Sequence, residues 1–185
     1  MVKPIRRIVT GHDAEGRSIL QEDGPAPNVF RPSHSPNVGL TNLWLTDTLP
    51  ASTSDGADPT AQPFKLEPPA KGNVVRIVEF PPDKVWRKAA DARKAFASIG
   101  AGGAPDHGSA DAMMHATATV DYIIVLKGEI WAIMDKGEKL LKPGDVLIQR
   151  GTNHSWSVRT NEPCVIAAVL IGAKPAGRLA RKKRR

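Results

Sequence analysis

The sequence contains one cysteine, Cys164, so no disulfide can form within the chain and paired-thiol redox or metal chemistry has no support. Cys164 opens the apolar run 164–171, where a free thiol behaves as a small hydrophobe and is expected to be buried. No apolar run approaches the roughly 20 residues that span a bilayer, and the N-terminal MVKPIRRIVTGHD lacks the apolar stretch of a secretory signal. The expected compartment is the cytoplasm, and a membrane is not an expected partner. A phosphate-binding glycine loop and a serine nucleophile elbow are also missing, which leaves those chemistries without support.

Excess charge is missing from the body of the chain. The 26 Lys and Arg against 19 Asp and Glu give +7. Lys174, Arg178, Arg181, Lys182, Lys183, Arg184 and Arg185 supply seven of those positive charges, so the rest is formally neutral. Residues 173–185 therefore read as a basic, disordered, solubilising tail. Nucleic acid is not an expected partner except through residues 174–185, where lysines and arginines could touch phosphates.

What is present is the grammar of a β protein. With 185 residues and 41% hydrophobic composition, the chain is long enough for one domain with its own core. Residues 1–80 alternate short apolar runs with turn signals, as in a β-hairpin (7–10 and 18–20), a proline-rich loop and strands over 40–46 and 73–80. Residues 81–107 form one short helix and a glycine-rich loop. The helix is predicted over 83–99, capped by Asp83, with Trp86, Ala89, Arg93, Phe96 and Ile99 at helical spacing and Gly100 at its end. From Val120 onward short strands are separated by turns at Gly128, Gly137 and Gly144, which favours a small barrel or sandwich. Strand 120–126 is apolar on both faces, so Tyr122, Ile124 and Leu126 need cover and a homodimer is expected.

The chemistry-bearing residues fall in two segments, 115–128 and 144–154. In a strand, residues two apart share a face, so His115, Thr117 and Thr119 would point one way. A straight strand would hold His115 and Asp121 about 20 Å apart, so the chain must bend between them if the two are to share a site. Asp121 shares its face with Ile123 and Val125, and a carboxylate in such a lining calls for a cation, an imidazole or a hydroxyl beside it.

Gly108, His115, Thr117, Asp121 and Gly128 occupy the places of the first cupin motif, and Gly144, Gln149, Gly151 and His154 those of the second. The chain thus resembles the cupins over residues 108–172, and its N-terminal segment is similar to that of small single-domain bacterial members. The resemblance implies an all-β double-stranded β-helix, a jelly-roll-like barrel with an N-terminal β arm and one short helix, usually dimeric, with a metal in the barrel mouth. It also implies a metal set of His115, Asp121 and His154, suited to a divalent Fe, Mn, Zn or Ni ion.

Thr117 stands where the family has its second histidine, Asp121 replaces glutamate and Gln149 replaces proline. Two readings stand. One is a metal-dependent enzyme acting on a small oxygenated or carboxylate molecule as dioxygenase, decarboxylase or isomerase. The other is a metal-free binding or sensor module in which the imidazoles hydrogen-bond a ligand or Asp121. Around the proposed ligands, Thr117 and Thr119 could orient Asp121, and Gln149 belongs to the second motif. Arg150 could receive a carboxylate, Trp156 could wall the pocket, and His107 in the glycine loop is a candidate lid residue.

Overall fold

A computed structural model describes residues 4–176 apart from 36, 55 and 89. The N-terminal hairpin pairs β1 (Arg6–His12) with β2 (Ser18–Pro25) as a separate two-stranded sheet. The remaining strands are β3 (Asn28–Phe30), β4 (Gly39–Thr46), β5 (Asn73–Phe80), β6 (Thr119–Lys127), β7 (Ile130–Met134), β8 (Glu138–Leu141), β9 (Val146–Arg150), β10 (His154–Ser157) and β11 (Cys164–Gly172). They form a six-stranded sheet in the order β3-β4-β5-β11-β6-β9 and a three-stranded sheet in the order β10-β7-β8, every pair antiparallel. The architecture is the expected all-β one.

Alternation decides which side chains enter the space between the sheets. In β6, Thr119, Asp121, Ile123 and Val125 are buried while Tyr122 and Leu126 are exposed. In β11, Cys164, Ile166, Ala168 and Leu170 are buried in the same alternating way, so Cys164 is the small core hydrophobe its surroundings predict. Val74 and Val78 of β5, Ile130 and Ala132 of β7 and Trp156 of β10 complete one core between the sheets. Gly128 permits the tight β6–β7 turn. Its φ is 75°, and a Cβ there would lie 2.5 Å from the Pro163 carbonyl oxygen, so no other residue fits.

The single helix predicted over 83–99 is instead two: α1 (Asp83–Trp86) and α2 (Ala92–Ala97). Asp91 interrupts it by capping α2, its carboxylate accepting from the Lys94 N–H at 3.0 Å. Asp83 caps nothing. It accepts from Val158 N–H at 2.9 Å and Ser157 Oγ–H at 2.5 Å, fastening α1 to the end of β10. Strand β3, inside the stretch read as a proline-rich loop, was not foreseen, since only three residues pair there. Ala89 and residues 177–185, which carry six of the seven tail charges, lie outside the described residues. Among the described residues no helix is long and apolar enough to cross a membrane.

Candidate functional site

His115 sits four residues before the start of β6 and bridges to the outer edge of β10, opposite His154. Each backbone N–H donates to the other's carbonyl at 2.8 Å. Directly opposed residues of an antiparallel pair project to the same side, and the two imidazoles accordingly lie against each other, centroids 4.3 Å apart and planes tilted by 47°. The bend demanded by the His115–Asp121 spacing is realised as a crossing between sheets. His115 extends the small sheet, and four residues later Thr119 begins β6 in the large one. Phe96 of α2 packs against His115 at 4.6 Å, and Trp156 meets His154 edge-on at 5.6 Å. Four rings thus run in one row.

The protonation of the pair follows from its partners. His115 Nδ1 lies 2.9 Å from the Met113 carbonyl, and His154 Nδ1 lies 2.9 Å from the Thr152 carbonyl. A carbonyl can only accept, so each Nδ1 carries the hydrogen and each Nε2 keeps a lone pair. Burial pushes His115 down to about 4 and His154 down to about 3, the latter also opposed by the charge His115 would carry. Both are neutral at pH 7.

Each ring has its own support. Gln149 donates through Nε2 to the Thr152 carbonyl at 3.0 Å, the same oxygen that holds His154 Nδ1, so the residue in the family's proline position fixes the loop that orients this imidazole. On the other side, the Asp111 carboxylate accepts from Met113 N–H at 3.0 Å, and Arg87 clamps Asp111 at 2.6 Å. Arg87 also bonds Ser155 and the Trp156 carbonyl, which ties Asp111 to the strand that carries His154. Thr117 and Thr119 share a hydroxyl–hydroxyl bond of 2.8 Å behind Asp121. Burial raises the Asp121 carboxyl to about 6, while a Thr119 hydrogen bond and the Arg76 charge pull the other way.

These groups meet at a cavity of about 130 Å³ between the sheets. Its walls are mainly hydrocarbon, with Leu40, Val78, Phe80 and Ile166 among them, and Trp86 of α1, Phe96 of α2 and Ile99 just after α2 add to them. Asp121 Oδ1, Arg76 Nε, Trp86 Nε1 and Ser35 Oγ are buried without hydrogen-bond partners among the described residues, and all four side chains line this cavity.

Of the residues expected at the site, His115, His154, Asp121, Thr117 and Trp156 line this one cavity. Thr119 and Gln149 are buried and engaged behind it. Arg150 and His107 are exposed and lie off its walls. For Arg150 the cause is simple: Gln149 points inward, so its neighbour in the same strand must point out. Arg76, Phe96 and Trp86 were not anticipated. For Arg76 there was a signal, the one positive charge in the β-branched run 73–80. For Phe96 and Trp86 there was none, since apolar residues at helical spacing look the same over any core.

No family model matches the chain. Among curated proteins it is 32% identical over 162 residues to phomopsin biosynthesis cluster protein C′ of Diaporthe leptostromiformis, covering 84% of this chain and 71% of that protein. It is 27% identical over 179 residues to the cupin-domain-containing oxidoreductase virC of Hypocrea virens, covering 91% of this chain and 76% of that one. Of solved structures, a cupin 2 conserved barrel domain protein from Salinispora arenicola aligns over 84% of this chain and 89% of its own, at 15% identity and a TM-score of 0.39. The two curated relatives are fungal, which gives no support to the narrower likeness to bacterial members. Taken with the antiparallel two-sheet architecture and the paired, buried histidines, the curated relatives establish that the chain belongs to the cupin superfamily.

Proposed function

We propose that this protein takes one compact, largely apolar organic molecule into the barrel and acts on it at the His115–His154 pair. One observation carries the reading: four unpartnered polar atoms and two imidazoles with open Nε2 atoms converge on a cavity whose walls are otherwise hydrocarbon. A buried polar group left unpaired costs about 1–3 kcal/mol. A ligand that pairs with these atoms relieves that cost, while its skeleton is held by the apolar walls. Neutral imidazoles can accept a proton or a hydrogen bond through Nε2, and Asp121, with its carboxyl raised to about 6, can give or take a proton near neutral pH. The fungal relatives named as oxidoreductases support an oxidation or reduction of an oxygenated molecule as the reaction class.

The fold family implies a divalent metal ion. The donor set fits one in kind, since two neutral imidazoles with open Nε2 atoms and an orphaned carboxylate oxygen border the same cavity. His115, Asp121 and His154 would hold it. A bound Fe, Mn, Zn or Ni ion would supply Lewis acidity and, for iron or manganese, a redox centre.

A second, metal-free reading has its own support. Among the described residues no three His, Cys, Asp or Glu side chains stand together as a group that could hold an ion, and Thr117 occupies a histidine position of the family. Metal analysis of protein purified without added metal separates the two. Near-stoichiometric metal that vanishes in His154→Ala and in Asp121→Ala is the expected result. A wild type that retains no ion and binds none of the four when added would reject the metal and leave the imidazoles as direct partners of the ligand.

A further inference from the structure

The alternation of β5 turns Val74, Arg76 and Val78 into the barrel, and Arg76 is 2% exposed there. In register it lies across from Asn42 on one side and the small Ala168 on the other. Its Nη2 donates to the Lys65 carbonyl at 2.8 Å, and its guanidinium carbon stands 4.8 Å from the centre of the Phe64 ring. These contacts fix the plane of the fork but leave Nε buried without a partner. A guanidinium has five N–H donors and cannot be relieved by losing its proton at neutral pH, so a charge this deep requires an anion.

Asp121 does not provide one directly. It attracts Arg76 through space, yet no carboxylate lies within ion-pair distance of Arg76 among the described residues. Had Arg76 served only to neutralise Asp121, the two would be expected in contact, as Arg87 and Asp111 are at 2.6 Å. Arg76 instead lines the cavity that holds the histidines and also a second one of about 200 Å³, next to Asn42, whose Oδ1 is likewise buried and unpartnered. A polar group placed between two cavities and short of partners is positioned for a ligand.

We propose that Arg76 is the anion anchor of this pocket: it receives the carboxylate of a compact, mostly apolar carboxylic acid and sets the skeleton of that molecule against His115 and His154. This rests on the reading of the cavity as the substrate site and adds the substrate class to it. A planar guanidinium fork matches the two oxygens of a carboxylate, which an ammonium does not, and in a dry cavity such a pair is stronger than at the surface. The anchor and the imidazoles then divide the work, one fixing charge and the other facing the reacting end.

Benzoate, an apolar ring with one carboxylate, is the probe, and neutral benzamide of the same shape is its control. Binding is read by quenching of tryptophan emission, because Trp86 and Trp156 both line the cavity. Wild type is expected to bind benzoate at least about tenfold more tightly than benzamide, and Arg76→Met to lose at least about tenfold in benzoate affinity while binding benzamide as before. Arg76→Met should melt at or above the wild-type temperature, because it removes a buried charge in favour of an apolar chain. Arg76→Lys, which keeps the charge but not the fork, should fall between the two. The comparison of benzoate with benzamide in wild type and in Arg76→Met needs no bound ion, so a failed metal test leaves the anchor standing. Equal affinity for benzoate and benzamide, full benzoate binding by Arg76→Met, or no benzoate binding by wild type at millimolar concentration would each overturn the anchor without touching the histidine pair.

Discussion

Neutrality of the two histidines is a consequence of burial, and it sets the response of the fold to acid. Free imidazole titrates near 6.5, and folding lowers His115 to about 4 and His154 to about 3. Below about pH 6.5 the unfolded chain takes up two protons that the folded one refuses, so each histidine subtracts stability as pH falls. Asp121 acts in the opposite sense. Its carboxyl is raised from 3.8 to about 6, so between those values the folded protein keeps a proton that the unfolded chain releases, and stability is added as pH falls. Two histidines against one aspartate leave a net loss of about one proton's worth, on the order of 1.4 kcal/mol per pH unit between about pH 6 and 4. Urea unfolding near pH 7, 6 and 5 should show that decline in wild type. Asp121→Asn, lacking the counterweight, should decline more steeply, and His154→Phe should be nearly flat. A wild type whose stability does not change across this range would contradict a neutral, buried pair.

Elements matter here for what they deliver to the cavity. The turn of helix from Ala92 to Ala97 is too short to be stable alone, and it is ordered by the Asp91 cap and by burying Ala92, Ala95 and Phe96. Phe96 is at once the packing anchor of α2, the neighbour of His115 and part of the cavity wall. Phe96→Ala should cost about 3 kcal/mol in urea unfolding, the usual scale for removing a buried aromatic ring. Because water would then reach His115, its titration followed by NMR should move up from about 4 toward 6.5. A loss of stability with no movement of that titration would mean that α2 covers the core but does not dry the site.

At the scale of the whole molecule, two packed sheets carry the site and a third small sheet is attached to them. An isolated hairpin is marginal in water, so the order of β1 and β2 depends on how it is fastened. Arg7 does this from a nearly buried position, pairing with Glu22 in its own hairpin and with Asp58 at 2.7 Å, and reaching the Leu43 carbonyl of β4 at 3.4 Å. Arg7→Ala should speed amide hydrogen exchange across Arg6–His12 and Ser18–Pro25 by about tenfold or more, with protection in β5, β6 and β11 unchanged. Equal acceleration throughout would show that the hairpin and barrel unfold as one unit.

Much of this protein is legible in the residues themselves. Alternation and glycine turns are local, which is why most of the strands, the buried Cys164 and the candidacy of His115, Asp121 and His154 could be read directly from the chain. Period two, however, states only which residues share a face. In β5, where both faces are apolar, it cannot say that Arg76 faces in, and in β9 it separates Gln149 from Arg150 without saying which is inside. Asp83 and Asp91 are equally good caps by type, and the choice fell to Asp91 because Asp83 is engaged by Ser157 and Val158, residues more than seventy positions away. The opposition of His115 to His154 is a matter of register between segments 39 residues apart, fixed by two backbone hydrogen bonds and by the packing of Phe96 and Trp156 on either side. Sequence determined which groups were available; long-range pairing and burial decided which of them share water-poor space, and that sharing gives the imidazoles, Asp121 and Arg76 their altered chemistry.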